Sequence, residues 1–444
     1  MRKIIFVLVF MIGICLSGES KESGIKLIPV YEKTFEDTIV DVIFDTVTVS
    51  LSEAKAMGWK EEAFSEEEKA KGKVTITYPC VLITKEEIRF LDERGKEKKS
   101  INRIVKGVKW EGKQGVKVGE GVIKVRKSKG GEYLGVVIPR EGSLLGEGIK
   151  GDFVMYRKNG KEMWKLGDVY LSDGYVIPSP NGEYAIALPP GEYPEQAPLY
   201  YSREGTKELI PREWQGKWKW PFFPETPHFS GDGKYFGIPI TSYDGDSNFL
   251  LISTSFEQLW LKTLEGEINA VEISNTAKYF VVSSGNTTVC FNKRGKILWK
   301  RKANPSIFSF NRGEDLLLLV YSLRGKIESV DPATGIINWA FEDKALIKKS
   351  ILIEVDVQSS TILMFGKLWQ YLPPKGSECL YILSIEGKLL FKAFLESNLL
   401  TKTYFISEGD NKGINLSQDG KFITFTPYTG EIRIMKNSLI GGER

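Results

Sequence analysis

At 444 residues the chain has room for one large repeat architecture or about three ordinary domains, so length excludes neither. Apolar residues at 42% and aromatics at 12% exclude a disordered chain and supply a substantial core. The 61 basic and 57 acidic residues leave a formal charge of +4 and are interspersed along the whole chain, which argues against nucleic-acid binding, since that needs a concentrated basic face.

Residues 1–18 read as an export signal. Arg2 and Lys3 precede the apolar run Ile4 to Leu16, and the small residues Ser17 and Gly18 lead into polar Glu19-Ser20-Lys21. The run has 13 residues, too few to span a bilayer comfortably. Ile12-Gly13-Ile14-Cys15 resembles a bacterial lipobox, with Ile14 where that pattern has a small residue. A lipid anchor at Cys15 is therefore the alternative to cleavage near residue 18.

Residues 19–75 read as an N-terminal extension of strands plus short helices. Ser52 before Glu53-Ala54-Lys55-Ala56-Met57 and Gly58 predicts a capped short helix. Ser65-Glu66-Glu67-Glu68 has capping-box spacing, and its run ends at Gly72, which predicts a second.

From residue 76 to 444 the chain reads as repeats. A serine, two turn residues, a small residue, a charged residue and an aromatic recur as Ser128 to Tyr133, Ser179 to Tyr184, Ser230 to Tyr235, Ser274 to Tyr279 and Ser417 to Phe422. Each copy predicts a tight hairpin followed by a buried strand, because Asp-Gly and Asn-Gly pairs accept positive φ at low cost. At a repeat of about 48 residues, two degenerate copies fit around Asn311-Arg312-Gly313 and Gln358-Ser359-Ser360. A second motif alternates with the first, a turn glycine followed four residues later by an aromatic: Gly160 with Trp164, Gly295 with Trp299, Gly335 with Trp339, and Gly387 with Phe391. The even offset puts the aromatic on a fixed face of its strand, where it can pack against a neighbouring unit.

Each unit thus reads as four strands, and the chain as an all-β, seven-bladed β-propeller preceded by an N-terminal extension with two small helices. Eight blades is the alternative, if residues 34–104 supply a whole blade. The last unit lacks its outer strand, so an N-terminal strand near Ile88 to Leu91 or Lys98 to Ile104 is expected to close the ring.

Ser230-Gly231-Asp232-Gly233-Lys234-Tyr235 and its copies resemble the hairpin motif of WD-repeat-like propellers related to the periplasmic Tol-system translocation protein. Ser329-Val330-Asp331-Pro332-Ala333-Thr334-Gly335-Ile336-Ile337-Asn338-Trp339 resembles the Asp-x-x-Thr-Gly-x-x-x-Trp repeat of pyrroloquinoline-quinone-type propellers, the group that includes the outer-membrane assembly lipoprotein propeller. Together the patterns cover roughly residues 120 to 435 and imply a fold rather than an activity. Quinone-dependent dehydrogenases of that group hold their cofactor against a vicinal Cys-Cys disulfide and a calcium site. This chain has no adjacent cysteines, and no cofactor is expected.

Cys80, Cys290 and Cys379 are far apart, and His228 is the only histidine, which together cannot readily build a zinc site. No Gly-x-Ser-x-Gly elbow accompanies His228 for hydrolase chemistry. Tyr243-Asp244-Gly245-Asp246-Ser247-Asn248 begins like a calcium loop, but Phe249 and Ser255 stand where glycine and the acidic ligand belong, so no metal is expected. The densest aromatic stretch runs from Trp214 through Lys217, Trp218, Lys219, Trp220, Phe222 and Phe223 to His228. Aromatics between prolines can stack on a sugar or grip a peptide, with cation–π support from the lysines, whereas alternating Trp218 and Trp220 can also simply pack between blades.

The expected function is therefore a non-enzymatic propeller, secreted or in the cell envelope and monomeric, binding a protein or glycan partner. It would reach a membrane only through a lipid anchor at Cys15. The alternative is a carbohydrate-active hydrolase or lyase using Asp, Glu and Tyr in the central funnel.

Overall fold

The computed structural model describes residues 27–35, 39–112, 115–139, 144–145, 149–171, 176–187, 199–209, 218–219, 228–242, 247–255, 258–343, 352–358, 361–367, 378–395, 414–417, 422–425 and 431–437. Their strands form eight blades, one more than the seven expected and in agreement with the alternative of eight. The additional blade, blade 1, is Ile39–Ser50, Lys73–Thr84, Glu87–Leu91 and Glu97–Asn102. Blades 2 to 7 follow in chain order, beginning at Lys124, Val176, Trp218, Ile268, Ile307 and Leu352. Blade 8 joins Ile414–Leu416, Phe422–Phe425 and Glu431–Asn437 to the N-terminal strand Leu27–Thr34.

Within each blade the strands are A to D, and the A strands of neighbouring blades touch one another, which puts strand A at the centre of the ring. Because successive strands are antiparallel, the A–B and C–D turns share one end of the ring. The B–C and D–A connections share the other. A hairpin of Ile104–Gly112 and Gly115–Val122 leaves that second end between blades 1 and 2, and Leu144–Leu145 adds to it in parallel.

Blade 1 escapes the serine count for a local reason. Where other blades make the serine turn between A and B, blade 1 inserts helix α1 (Leu51–Ala56), a short 3-10 turn (Glu61–Ala63) and helix α2 (Glu66–Lys71). The first cap is Ser50 and not Ser52. Ser50 and Glu53 form one reciprocal capping box, Ser65 and Glu68 the other, so that two helices of six residues each have their first turns satisfied.

Ring closure also differs from the expected strand. Residues 88–91 and 98–104 fall largely in strands C and D of blade 1, and the strand that completes blade 8 is Leu27–Thr34, paired antiparallel from Leu27 opposite Asn437 to Thr34 opposite Glu431. Val30 and Tyr31 from that strand, Trp59 and Phe64 from the helical insert, and Phe422, Ile432 and Ile434 from blade 8 share one apolar core with blade 1. Comparable cores fill the junctions 1/2, 2/3, 3/4, 4/5, 5/6 and 6/7.

Both repeat motifs have a mechanical meaning. In all five serine turns the aromatic's N–H donates to the serine Oγ five residues earlier, at 2.9–3.2 Å. Asn311 takes the serine's place in blade 6, its Oδ1 accepting from Leu316 N at 3.1 Å. The degenerate copy at 358–360 falls between strands A and B of blade 7, with 359–360 outside the described residues.

From blade 4 to blade 7 the glycine–aromatic motif fastens one blade to the next. Trp260 packs on Gly295, Trp299 on Gly335, and Trp339 on Gly387, each glycine lying in the C–D turn of the following blade. Each indole N–H donates to a carbonyl of that turn: Lys293 O at 3.1 Å, Pro332 O at 2.8 Å and Ile385 O at 2.9 Å. Gly295 and Gly335 therefore serve the preceding blade's tryptophan, and Trp299 and Trp339, four residues later, serve the next blade.

Candidate functional site

Sequence reasoning gathers Trp214, Lys217, Trp218, Lys219, Trp220, Phe222, Phe223 and His228 into one segment. Trp214, Lys217, Trp220, Phe222 and Phe223 lie outside the described residues. The other three fall on the innermost part of blade 4, which is interrupted. Trp218 and Lys219 pair with Ser242 and Thr241, whereas His228 and Phe229 pair with Gly237 and Phe236 of the same strand. Three residues separate Gly237 from Thr241, but eight separate Lys219 from His228. The two pairs on the innermost part of blade 4 are thus separated by eight residues, 220–227, that lie outside the described residues.

His228 Nε2 is buried without a hydrogen bond. Burial, followed by the Lys129 charge, pushes the imidazole down to about 3, so the side chain is neutral across the physiological range. It can accept one hydrogen bond but holds no proton to give as an imidazolium.

Lys129, which sequence reasoning missed, links this region across the ring. It leaves the serine turn of blade 2, passes blade 3 and reaches the innermost strands of blades 4 and 5. Its Nζ donates to Phe229 O at 3.3 Å and Ile273 O at 3.1 Å, and pairs with Glu272 Oε1 at 2.5 Å. The signal was a departure from the repeat: the residue after the serine is lysine only here, against Pro180, Gly231, Asn275 and Gln418 in the other copies.

The remaining reactive side chains serve the scaffold. Cys80, Cys290 and Cys379 are all buried, and none is in a disulfide. Burial pushes the Cys80 and Cys290 thiols up to about 12, and each donates weakly to a carbonyl, Ile43 O at 3.3 Å and Pro332 O at 3.6 Å. Burial alone would raise the Glu328 carboxyl. Hydrogen bonds from Lys326 and Tyr321 and the charge of Arg301 outweigh it and hold the group below the usual range. The supposed calcium loop is partly strand: Ser247–Ser253 belongs to blade 4, and Asn248 Oδ1 accepts from Thr263 Oγ1 at 2.7 Å. Tyr243 to Asp246 lie outside the described residues, among which no group of three or more His, Cys, Asp or Glu could hold a metal.

No protein-family model matches the chain, and no curated protein matches it. Solved structures do. BamB from Moraxella catarrhalis is 12% identical over 93% of this chain and 100% of its own, with a TM-score of 0.48. The Dos1 propeller is 10% identical over 92% of this chain and 95% of its own, with a TM-score of 0.51. The likeness is one of fold. The Dos1 likeness agrees with the propeller fold that the repeats imply.

Proposed function

We propose that this protein is an exported, non-enzymatic propeller that binds a protein partner through the surplus segment of blade 4. The observation that carries the reading is the broken innermost strand: eight residues lie between Lys219 and His228 in the chain, but only three between their partners Thr241 and Gly237. An uninterrupted strand needs no such surplus, and the intervening sequence contains Trp220, Phe222 and Phe223. Large aromatics provide contact area at little conformational cost and often anchor protein interfaces. Export, through the signal at residues 1–18 or a lipid anchor at Cys15, belongs to the same proposal, as does a partner in the cell envelope.

The test is a pull-down from envelope extract beside a glycan array, with the full chain and a Trp218→Ala/Trp220→Ala variant that still folds. A specific protein retained by the native chain and lost by the variant supports the proposal. A partner retained by both moves the site elsewhere, and a glycan bound in place of a protein overturns the partner class.

A further inference from the structure

The outer strands of blades 5, 6 and 7 differ from the others at one repeated position. In six blades the C–D turn ends in the same bulged register, so that the first paired residue of strand D faces the last or last but one residue of strand C. That residue is Glu97 in blade 1, Glu162 in blade 2 and Gln258 in blade 4, opposite Leu91, Tyr156 and Ile252. It is Ile297 in blade 5, Ile337 in blade 6 and Leu389 in blade 7, opposite Phe291, Val330 and Leu383. The backbone is alike in all six, and the position is solvent-exposed in all six.

Isolated apolar residues on a surface need no explanation. These are not isolated. Ile297, Ile336, Ile337 and Leu389 are 52%, 66%, 43% and 38% exposed, and they are all of the exposed large apolar side chains among the described residues. They fall on three consecutive blades at one end of the outer rim. The blade 5 end of the row is basic, with Arg294, Lys296, Lys300 and Lys302 exposed on or beside its outer strand. Among the described residues, each of the three D strands is the last of its sheet. Lysines on such an edge repel a second copy brought up to it, while attracting carboxylates.

We propose that the rim of blades 5–7 is a docking surface for a segment of another protein that combines apolar side chains with carboxylates. The segment lays its apolar face on Ile297, Ile337 and Leu389 and its acids on the blade 5 lysines. This surface is separate from the blade 4 segment and does not rest on it.

The test uses a fluorescein-labelled peptide of alternating Ile and Glu, with an Ile/Lys peptide as its charge-swapped control, titrated by anisotropy against the full chain at low salt. The Glu peptide is expected to bind at least tenfold tighter than the Lys peptide. An Ile297→Ser/Ile337→Ser/Leu389→Ser variant with an unchanged melting curve should lose at least tenfold, and Lys296→Glu/Lys300→Glu should reverse the preference. The Trp218→Ala/Trp220→Ala variant should bind the peptide like the native chain, which keeps failure here distinct from failure of the blade 4 reading. Equal affinity for both peptides, no binding of either, or unchanged binding by the triple variant overturns the proposal. So does a concentration-dependent dimer in sedimentation that the triple variant abolishes, since the occupant is then a second copy.

Discussion

The junctions between blades 4 and 7 and the junction between blades 8 and 1 solve one problem in two ways. From blade 4 to blade 7 a tryptophan in each outer strand lies on a turn glycine of the next blade and donates to a carbonyl there, so each link uses residues close in sequence to their own blade. The closing junction instead brings Leu27–Thr34 to Glu431–Asn437 and seals the seam with Trp59 from the helical insert. The first solution divides the load among repeated links that each join nearest neighbours. The second concentrates it. Trp59 is only 3% exposed and meets Tyr31, Phe64 and Phe422 at ring-centroid distances of 5.6, 6.0 and 5.1 Å.

The largest effect is therefore expected at the seam. Trp59→Ala removes the ring that three elements share, at a cost of about 3–5 kcal/mol. A urea titration should show that loss in the midpoint, and hydrogen exchange should show residues 431–437 opening before the strands of blade 5. If blades 8 and 5 exchange alike in the variant, the load is not concentrated as described.

A regular link breaks at its glycine. Gly335 has φ of +72°, and a Cβ added there would stand 2.7 Å from the Trp299 ring. Gly335→Ala combines a left-handed backbone with overpacking and is expected to cost about 2–4 kcal/mol. Gly130, with φ of +85° and nothing within 4 Å, isolates the backbone component. Gly130→Ala should cost about 1–2 kcal/mol. Equal effects at the two positions would mean that the tryptophan contact contributes nothing.

The same contrast explains what the sequence made legible. Turn motifs and glycine–tryptophan spacings repeat because every regular blade needs the same hairpin and the same link, and they announced the propeller and its four-stranded units. Blade 1 was legible only as the alternative of eight, because helices α1 and α2 occupy its serine turn. The closing strand was hidden because Leu27–Thr34 has no repeat of its own, only a distant partner. At the candidate site the aromatic segment stood out by composition, but the interruption of blade 4 depends on a register that only strand pairing reveals. Lys129 and the apolar row of blades 5–7 are deviations inside repeats, visible once the copies are aligned by structure.

Acid should probe the contact that spans the ring. Because the folded His228 titrates near 3 and an unfolded histidine near 6.5, the unfolded chain binds the extra proton between those values. Stability is then fully present above about pH 6.5 and declines as the pH falls, by at most about 2 kcal/mol at pH 5. Glu328, held below the usual carboxylate range, loses its contribution at lower pH, which leaves the interval from pH 6.5 to 5 to the only histidine. Thermal melts of His228→Gln should be flat across that interval while those of the native chain fall. A parallel decline in both would remove His228 from the acid response.

The smallest expected effect separates the repeat from its degenerate copy. In blade 5, Ser274 Oγ accepts from Tyr279 N at 3.1 Å and also from Lys278 N at 3.1 Å, so Ser274→Ala leaves a buried turn with an unmet donor. In blade 6, Asn311 does the same for Leu316 N, and Asn311→Ala removes an acceptor of the same geometry. Each should cost about 1 kcal/mol, the net worth of a hydrogen bond whose partner remains. If Asn311→Ala is silent in a denaturant titration where Ser274→Ala is not, blade 6 holds its turn by the second link between blades 5 and 6, in which the Glu314 carboxylate accepts from Thr276 N and from Thr276 Oγ1 at 2.7 Å. Adding Glu314→Gln to Asn311→Ala would then cost more than the sum of the two single changes, because two supports of one turn mask each other until both are gone.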